Sequence, residues 1–234
     1  MTTDVERGKT FYGQLFGWKF EQVGEQGAWR IRSYDRTLGM IWPRTPGDTD
    51  PPCWMAYVSV PDVDAAAKVA TENGGKVVHG PTEFPGVGRF AAVLDSDGAM
   101  FLPFKASEGD QELRAPKTLE FCWETLVTKD EARAKEFYAK VCGWQPMAFG
   151  PSTTVFSVDG TAHTQVADIQ KAATLPPMWL SYVSVKNVET TRANVEKFGG
   201  KVNVPLIDVP TVGRISLVSD PLGAQFGLFQ PTPR

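Results

Sequence analysis

The sequence predicts an α+β fold of four βαβββ modules, joined as two tandem pairs. Three observations carry that expectation. The stretch Pro52-Cys-Trp-Met-Ala-Tyr-Val-Ser-Val60 returns as Pro177-Met-Trp-Leu-Ser-Tyr-Val-Ser-Val185, at an offset of 125. Both copies are followed by Gly-Gly-Lys-Val, then Val-Gly-Arg, then Asp-x-x-Gly-Ala. Phe11-Tyr12 and Gly17-Trp18 reappear as Phe137-Tyr138 and Gly143-Trp144, at an offset of 126. A repeat that covers nearly the whole chain means that one structural unit is used more than once. A length of 234 residues suits two small domains.

Residues 4–16 read as a helix. Thr3 and Glu6 can form a capping box, Phe11 and Leu15 share a face, and Gly17 stops it. Short strands follow at 18–22, 28–33 and 38–42, then a linker of turn residues at 45–52. The stretch after Pro52 is a strand, with Val58 and Val60 supplying β-branched side chains. Residues 62–73 form the second helix, capped by Asp62 and stopped by Gly74-Gly75. Strands near 76–79, 89–95 and 99–104 close the first half.

Ser107–Pro116 is polar and ends in proline, which sets a first domain at 1–106, a linker at 107–116 and a second domain at 117–234. The second domain opens on a strand at 119–128 and a helix at 130–141. In that helix Ala134, Phe137, Tyr138 and Val141 fall at i, i+3, i+4 and i+7, and Thr128 with Glu131 offers the same capping box. The helix at 187–198 repeats the pattern with Val188, Thr191, Val195 and Phe198. One departure stands out. The first module begins at its helix, so the strand expected before Thr2 is missing, and an unfilled sheet position invites association.

A net charge of −3, with no Lys/Arg run interleaved with aromatics, excludes a nucleic-acid partner. No apolar run approaches the roughly 18 residues that span a bilayer. The charged N-terminus lacks a signal-peptide core, so no membrane partner and a cytoplasmic location are expected. Cys53, Cys122 and Cys142 show no CxxC spacing and read as free, packed thiols of a reducing compartment. Arg7-Gly8-Lys9-Thr10 lacks the leading glycine of a phosphate loop and lies within a helix. Gly86-Val87-Gly88-Arg89 turns into a strand rather than a helix, so neither is a nucleotide site.

Paired βαβββ modules carrying Phe-Tyr-x-x-x-x-Gly-Trp and Asp-x-x-Gly-Ala resemble the vicinal oxygen chelate superfamily, which includes glyoxalase I, extradiol dioxygenases and bleomycin resistance proteins. The tandem layout, with Val-Gly-Arg before each Asp-x-x-Gly-Ala, is similar to an actinobacterial subgroup labelled glyoxalase-like or hydroxylase. The resemblance implies a divalent metal held by His and Glu in the opening and closing strands. It places those ligands at Trp123, at Met55 and Leu180, and at Leu102 and Gly227. None of these side chains suits a hard or borderline cation. A one-residue slip adds Trp54, Glu124 and Trp179, of which only Glu124 could ligate, and His163 is the other candidate. Two ligands fall short of the three that a catalytic site generally needs. No metal and no cofactor are therefore expected.

The remaining candidates each have two readings. Glu124 could act as a buried acid or base if it faces inward, or be an outward carboxylate on a strand beside Trp123, and His163 could line a cavity and serve as its partner. His79, at a strand end before a turn, reads as a surface residue. Arg89 and Arg214 occupy the same place in the two halves. They either pair with an anionic substrate or brace the fold through Asp95 and Asp220, and recurrence favours the brace. Trp54, Trp123, Trp179, Tyr57 and Tyr182 are core residues by habit, yet aromatics on a cupped sheet can stack on a flat ligand.

The leading expectation is a metal-independent protein that binds an apolar or aromatic metabolite or antibiotic. The alternative is a lyase, isomerase or hydroxylase-like enzyme acting on a small aldehyde or polyketide-like substrate through Glu124 and His163. A purely structural protein, its cavities filled by its own side chains, is the third class. A monomer is the default, with a homodimer as the alternative that the missing strand invites.

Overall fold

The computed structural model describes residues 1–24, 27–44, 47, 50–112, 114–149, 153–158, 161–168 and 176–232; for 149, 153, 158 and 161–168 only the backbone is described. The first module comprises α1 (Val5–Phe16), β1 (Lys19–Val23), β2 (Ala28–Ser33) and β3 (Arg36–Ile41). The second runs β4 (Ala56–Ser59), α2 (Val63–Glu72), β5 (Lys76–Phe84), β6 (Gly88–Leu94) and β7 (Met100–Ala106). The third runs β8 (Phe121–Thr128), α3 (Glu131–Cys142), β9 (Gln145–Phe149), β10 (Thr153–Val158) and β11 (Thr161–Asp168). The fourth runs β12 (Met178–Ser184), α4 (Val188–Lys197), β13 (Lys201–Val209), β14 (Gly213–Ser219) and β15 (Gln225–Pro231). The α+β module order is the one that the repeat predicts.

The helix caps differ from the expected capping boxes at Thr3 and Thr128. Asp4, Asp62, Asp130 and Asn187 cap the four helices, each side chain accepting from the N–H three residues on. A carboxylate in that position satisfies an orphan donor and also meets the positive end of the helix dipole. The Thr128 hydroxyl is engaged elsewhere, donating to Asp97. Gly17 and Gly143 stop α1 and α3 in the left-handed conformation, as the sequence indicates.

The modules pack into two compact units that cut across the sequence halves 1–106 and 117–234. Unit 1 comprises Met1–Trp54, Ala115–Cys122 and Ser181–Arg234; unit 2 comprises Met55–Arg114 and Trp123–Leu180. Burial explains the exchange. Phe11, Tyr12 and Phe16 of α1 bury with Val183, Val188, Val195 and Phe226, whereas Phe137 and Tyr138 of α3 bury with Ala66, Ala70, Val93 and Phe101. Each aliphatic or aromatic side chain sequestered this way contributes about 1.5–3 kcal/mol. The segment read as linker is also divided, residues up to Arg114 belonging to unit 2 and Ala115 onward to unit 1, where Leu119 and Glu120 just beyond it bond to Ser184.

In unit 2 the strand orders are β4-β7-β6-β5 and β8-β11-β10-β9, with β4 parallel to β7 and β8 parallel to β11. In unit 1 they are β13-β14-β15-β12 and β1-β2-β3. Among the described residues the place of β8 in the first module is held by Met1, whose backbone exchanges hydrogen bonds with Cys53, and Thr2, which forms a parallel bridge to Pro43. The Thr2 N–H donates to Trp42 and its carbonyl accepts from Arg44.

Each unit is pinned by the same buried chain of hydrogen bonds. In unit 1 Trp54 Nε1 donates to the Tyr12 hydroxyl (2.8 Å), which donates to Asp220 Oδ2 (3.0 Å). In unit 2 Trp179 Nε1 donates to Tyr138 (2.9 Å), which donates to Asp95 Oδ2 (2.9 Å). The second carboxylate oxygen accepts backbone N–H groups of its own Asp-x-x-Gly-Ala turn, including those of Ala99 and Ala224. Burial, reinforced by the adjacent aspartate, raises both tyrosine pKa values well above the ordinary phenol value. The Phe-Tyr, Asp-x-x-Gly-Ala and Trp motifs of the repeat are therefore members of one structural device.

Gly-Gly-Lys-Val has a steric reason. Gly74 and Gly199 adopt positive φ where α2 and α4 end. A Cβ on Gly75 would lie 2.7 Å from the Leu94 carbonyl and 3.0 Å from the ring of Phe137.

Candidate functional site

The sheet β4-β7-β6-β5 of unit 2 has two unlike faces. Alternation along a strand sends successive side chains to opposite sides, and Val58, Ala91, Val93 and Phe101 join α2 in the core. Tyr57, Ser59, Phe90, Ala92, Leu102 and Phe104 therefore line the face turned away from α2. Tyr57 is opposite Leu102, Phe90 opposite Phe104, and His79 opposite Ala92.

This face is aromatic and partly open. Tyr57 is 42% exposed and meets Phe104 edge-on, with centroids 5.4 Å apart and planes at 88°; Phe90 lies 6.5 Å away. His79 is exposed and lies nearly parallel to Phe90, at 5.9 Å and 26°. Its Nε2 is 3.4 Å from the Thr82 hydroxyl. Desolvation nevertheless pushes the Tyr57 phenol up to about 12, so it stays protonated at neutral pH and can donate a hydrogen bond. Phe104 sits this close to the backbone because Gly88 has no Cβ to meet its ring.

The sequence candidates are not gathered on that face. Trp54 and Trp179 belong to the buried chains described above. Tyr182, the unit 1 counterpart of Tyr57, is only 8% exposed, its ring lying directly over Gly227. Arg89 and Arg214 are braces, yet neither uses Asp95 or Asp220. Arg89 forms a two-pronged pair with Asp64 at the start of α2 (2.7 and 2.8 Å), and Arg214 pairs with Glu189 of α4 (2.9 Å) and with Asp208 (3.0 Å). On β6, Arg89 alternates with Phe90, so it points to the helix side, while Asp95 and Asp220 are occupied by tyrosine. Trp123 and Glu124 are half-buried neighbours on β8. His163 lies in β11, but its side chain is outside the described residues.

The ligand positions that the resemblance implies carry a thioether at Met55, an indole at Trp123 and a buried alkyl chain at Leu102 in unit 2. In unit 1 the closing position is Gly227, beneath the Tyr182 ring. No oxygen or imidazole donor is among them, so this set does not fit a divalent cation. Among the described residues no group of three His, Cys, Asp or Glu is placed to hold one. Burial pushes the Cys142 thiol up to about 12, which leaves it inert as a nucleophile. No helix among the described residues is long and apolar enough to cross a membrane.

Phe90, Phe104 and His79 were not singled out in the sequence as site residues. A sequence signal did exist: Phe90 and Phe104 lie at the even positions of strands whose odd positions build the core. Reading it requires the strand register.

Comparison with known proteins places the fold. The chain belongs to the glyoxalase/bleomycin resistance protein/dioxygenase superfamily, whose family model matches residues 1–102 and 121–228. Among curated relatives it is 29% identical to CFP32 of Mycobacterium bovis, which carries the provisional name glyoxylase; the match covers 100% of this chain and 93% of that one. It is 28% identical to the anthracycline biosynthesis protein DauV of Streptomyces sp. strain C5, over 97% of this chain and 89% of the relative. Among solved structures, the 2,3-dioxygenase LapB of Pseudomonas sp. KL28 superposes with a TM-score of 0.65 at 14% identity, covering 99% of this chain and 90% of that one. At that identity the likeness speaks for the fold alone.

Proposed function

We propose that the chain binds a flat aromatic or polyketide-like small molecule on the Tyr57–Phe90–Phe104 face of unit 2, and does so without a divalent metal. One observation carries this reading. An open aromatic face surrounds Leu102, an implied metal-ligand position that holds an alkyl chain opposite the half-exposed Tyr57. Aromatic rings that are already ordered give a planar ligand a large contact at little conformational cost. The anthracycline biosynthesis relative lends support, since its name ties this architecture to a planar polyketide.

The test is quenching of intrinsic tryptophan fluorescence on titration with planar polyketide-like compounds, repeated with Tyr57→Ala and Phe90→Ala. Saturable quenching that weakens at least tenfold in both variants is expected. Saturable binding that ignores both substitutions would sink the reading.

A second reading is catalysis by Glu124 and His163, favoured by the half-buried carboxylate of Glu124 on β8 and by the glyoxylase name of CFP32. Turnover of a small aldehyde that disappears in Glu124→Gln would establish it. Turnover unchanged in that variant would remove Glu124 from the mechanism.

A further inference from the structure

The chain contains its own control. What the fold needs is present in both units: the Trp–Tyr–Asp chain, the arginine brace to the preceding helix, the side-chain cap and the glycine at each helix stop. Around the face that carries Tyr57, conservation of this kind fails in a pattern. Tyr57, Ser59, Gly88 and Phe104 recur as Tyr182, Ser184, Gly213 and Phe229. His79, Thr82, Phe90, Ala92 and Leu102 are replaced by Val204, Ile207, Ile215, Leu217 and Gly227, in matching register. Aliphatic residues therefore satisfy the fold at these places. The imidazole and the phenyl ring of unit 2 answer to something else.

The replacements also act together. Gly227 lets the Tyr182 ring settle onto the strand at 8% exposure, and the larger Leu217 stands beside Val204, so the unit 1 face is filled by its own side chains at these two places. Leu102 opposite Tyr57 prevents the same collapse, and Tyr57 stays 42% exposed. Ala92 opposite His79 leaves the imidazole unobstructed. Its one side-chain hydrogen bond among the described residues is the 3.4 Å contact to Thr82, at the long limit of such bonds.

We infer that the chain takes one ligand, in unit 2 only, and that His79 is its specificity-determining residue. The ligand is a planar ring system with a hydroxyl or carbonyl oxygen at its edge. The ring lies against Tyr57 and Phe90, and the oxygen bonds to the imidazole. This rests on the binding function proposed above and goes past it by naming the polar group that is read and the unit that reads it.

The test uses the full chain and two probes of matched shape, 2-naphthol and naphthalene, in equilibrium dialysis. His79→Val installs the residue that unit 1 carries at this place. It is expected to weaken 2-naphthol binding by about 5- to 10-fold, the worth of one hydrogen bond, and to leave naphthalene binding unchanged. One 2-naphthol per chain is expected, with Phe90→Ala weakening both probes.

Equal losses for both probes in His79→Val would show that His79 only packs, and would overturn the inference. Two molecules per chain would overturn it as well. If Phe90→Ala weakens both probes while His79→Val weakens neither, the binding face stands and the role of His79 falls. If neither variant changes the binding of either probe, the binding face itself is refuted.

Discussion

The ring of Tyr182 lies over Gly227 so closely that a Cβ on the glycine would overlap its Cδ1 and Cε1 atoms. The two residues face each other across the parallel pair β12–β15. A contact this tight makes the glycine a requirement of the tyrosine, and the pair can be tested as one.

Gly227→Ala should destabilise the protein by about 1–3 kcal/mol, as overpacking of a filled site does. Combining it with Tyr182→Ala should cost less than the two single losses added together. Urea denaturation of the four proteins of this double-mutant cycle measures the coupling. Additive losses would mean that the ring moves aside freely.

Tyr138→Phe keeps the ring and removes the hydroxyl that joins Trp179 to Asp95. Two buried polar groups lose a partner, so a loss of about 2–4 kcal/mol is expected. Tyr12→Phe should behave alike through Trp54 and Asp220. A loss below about 0.5 kcal/mol in urea titrations would show that the hydroxyls are not needed to satisfy their neighbours.

Burial raises the Asp95 carboxyl above its ordinary value, against the opposing pull of the turn N–H groups and the Tyr138 hydroxyl. The folded state then holds this proton more tightly than the unfolded chain. The stability that goes with it is complete below the unfolded value of 3.8 and is lost as pH rises through the higher folded value. Wild type should therefore lose stability relative to Asp95→Asn as the pH climbs through that window. Urea midpoints measured from pH 3.5 upward test the sign, and a relative gain for wild type would refute it.

Arg89→Ala breaks an exposed pair between β6 and α2 on the side of the sheet away from Tyr57. It should lower the thermal midpoint slightly, by an amount that shrinks in high salt, and leave 2-naphthol binding unchanged. Loss of binding would place the arginine in the site after all.

Much of the fold is legible in the sequence because local physics writes it there. The α1 and α3 stripes, the glycine stops and the repeat offsets mark elements that form from neighbouring residues, and β2 at Ala28–Ser33 falls where the sequence places it. The compact units are not legible, since nothing in the periodicity says whether Phe137 packs on its own half or on α2. The same blindness affects the site. Trp54 and Trp179 attract attention as large aromatics, but their indole N–H groups belong to the core. Phe90 looks ordinary until its pairing with Phe104 shows which way both face. Arg89 and Arg214 are readable as braces from their recurrence, but their partners are set by strand alternation.

The order in which the chain is made gives the two units different histories. The hydrogen-bonded chain of unit 2 draws on residues 95, 138 and 179, all available before α4 and the three strands after it are made. That of unit 1 joins Tyr12 to Asp220 across 208 residues. At typical rates of synthesis, the aromatic side of α1 leaves the ribosome roughly 10–40 seconds before its partner exists. Phe11, Tyr12, Phe16 and Trp18 stay without their final neighbours throughout that interval. Nascent unit 1 is thus the part that chaperones would meet, while unit 2, with the open aromatic face, can complete itself first.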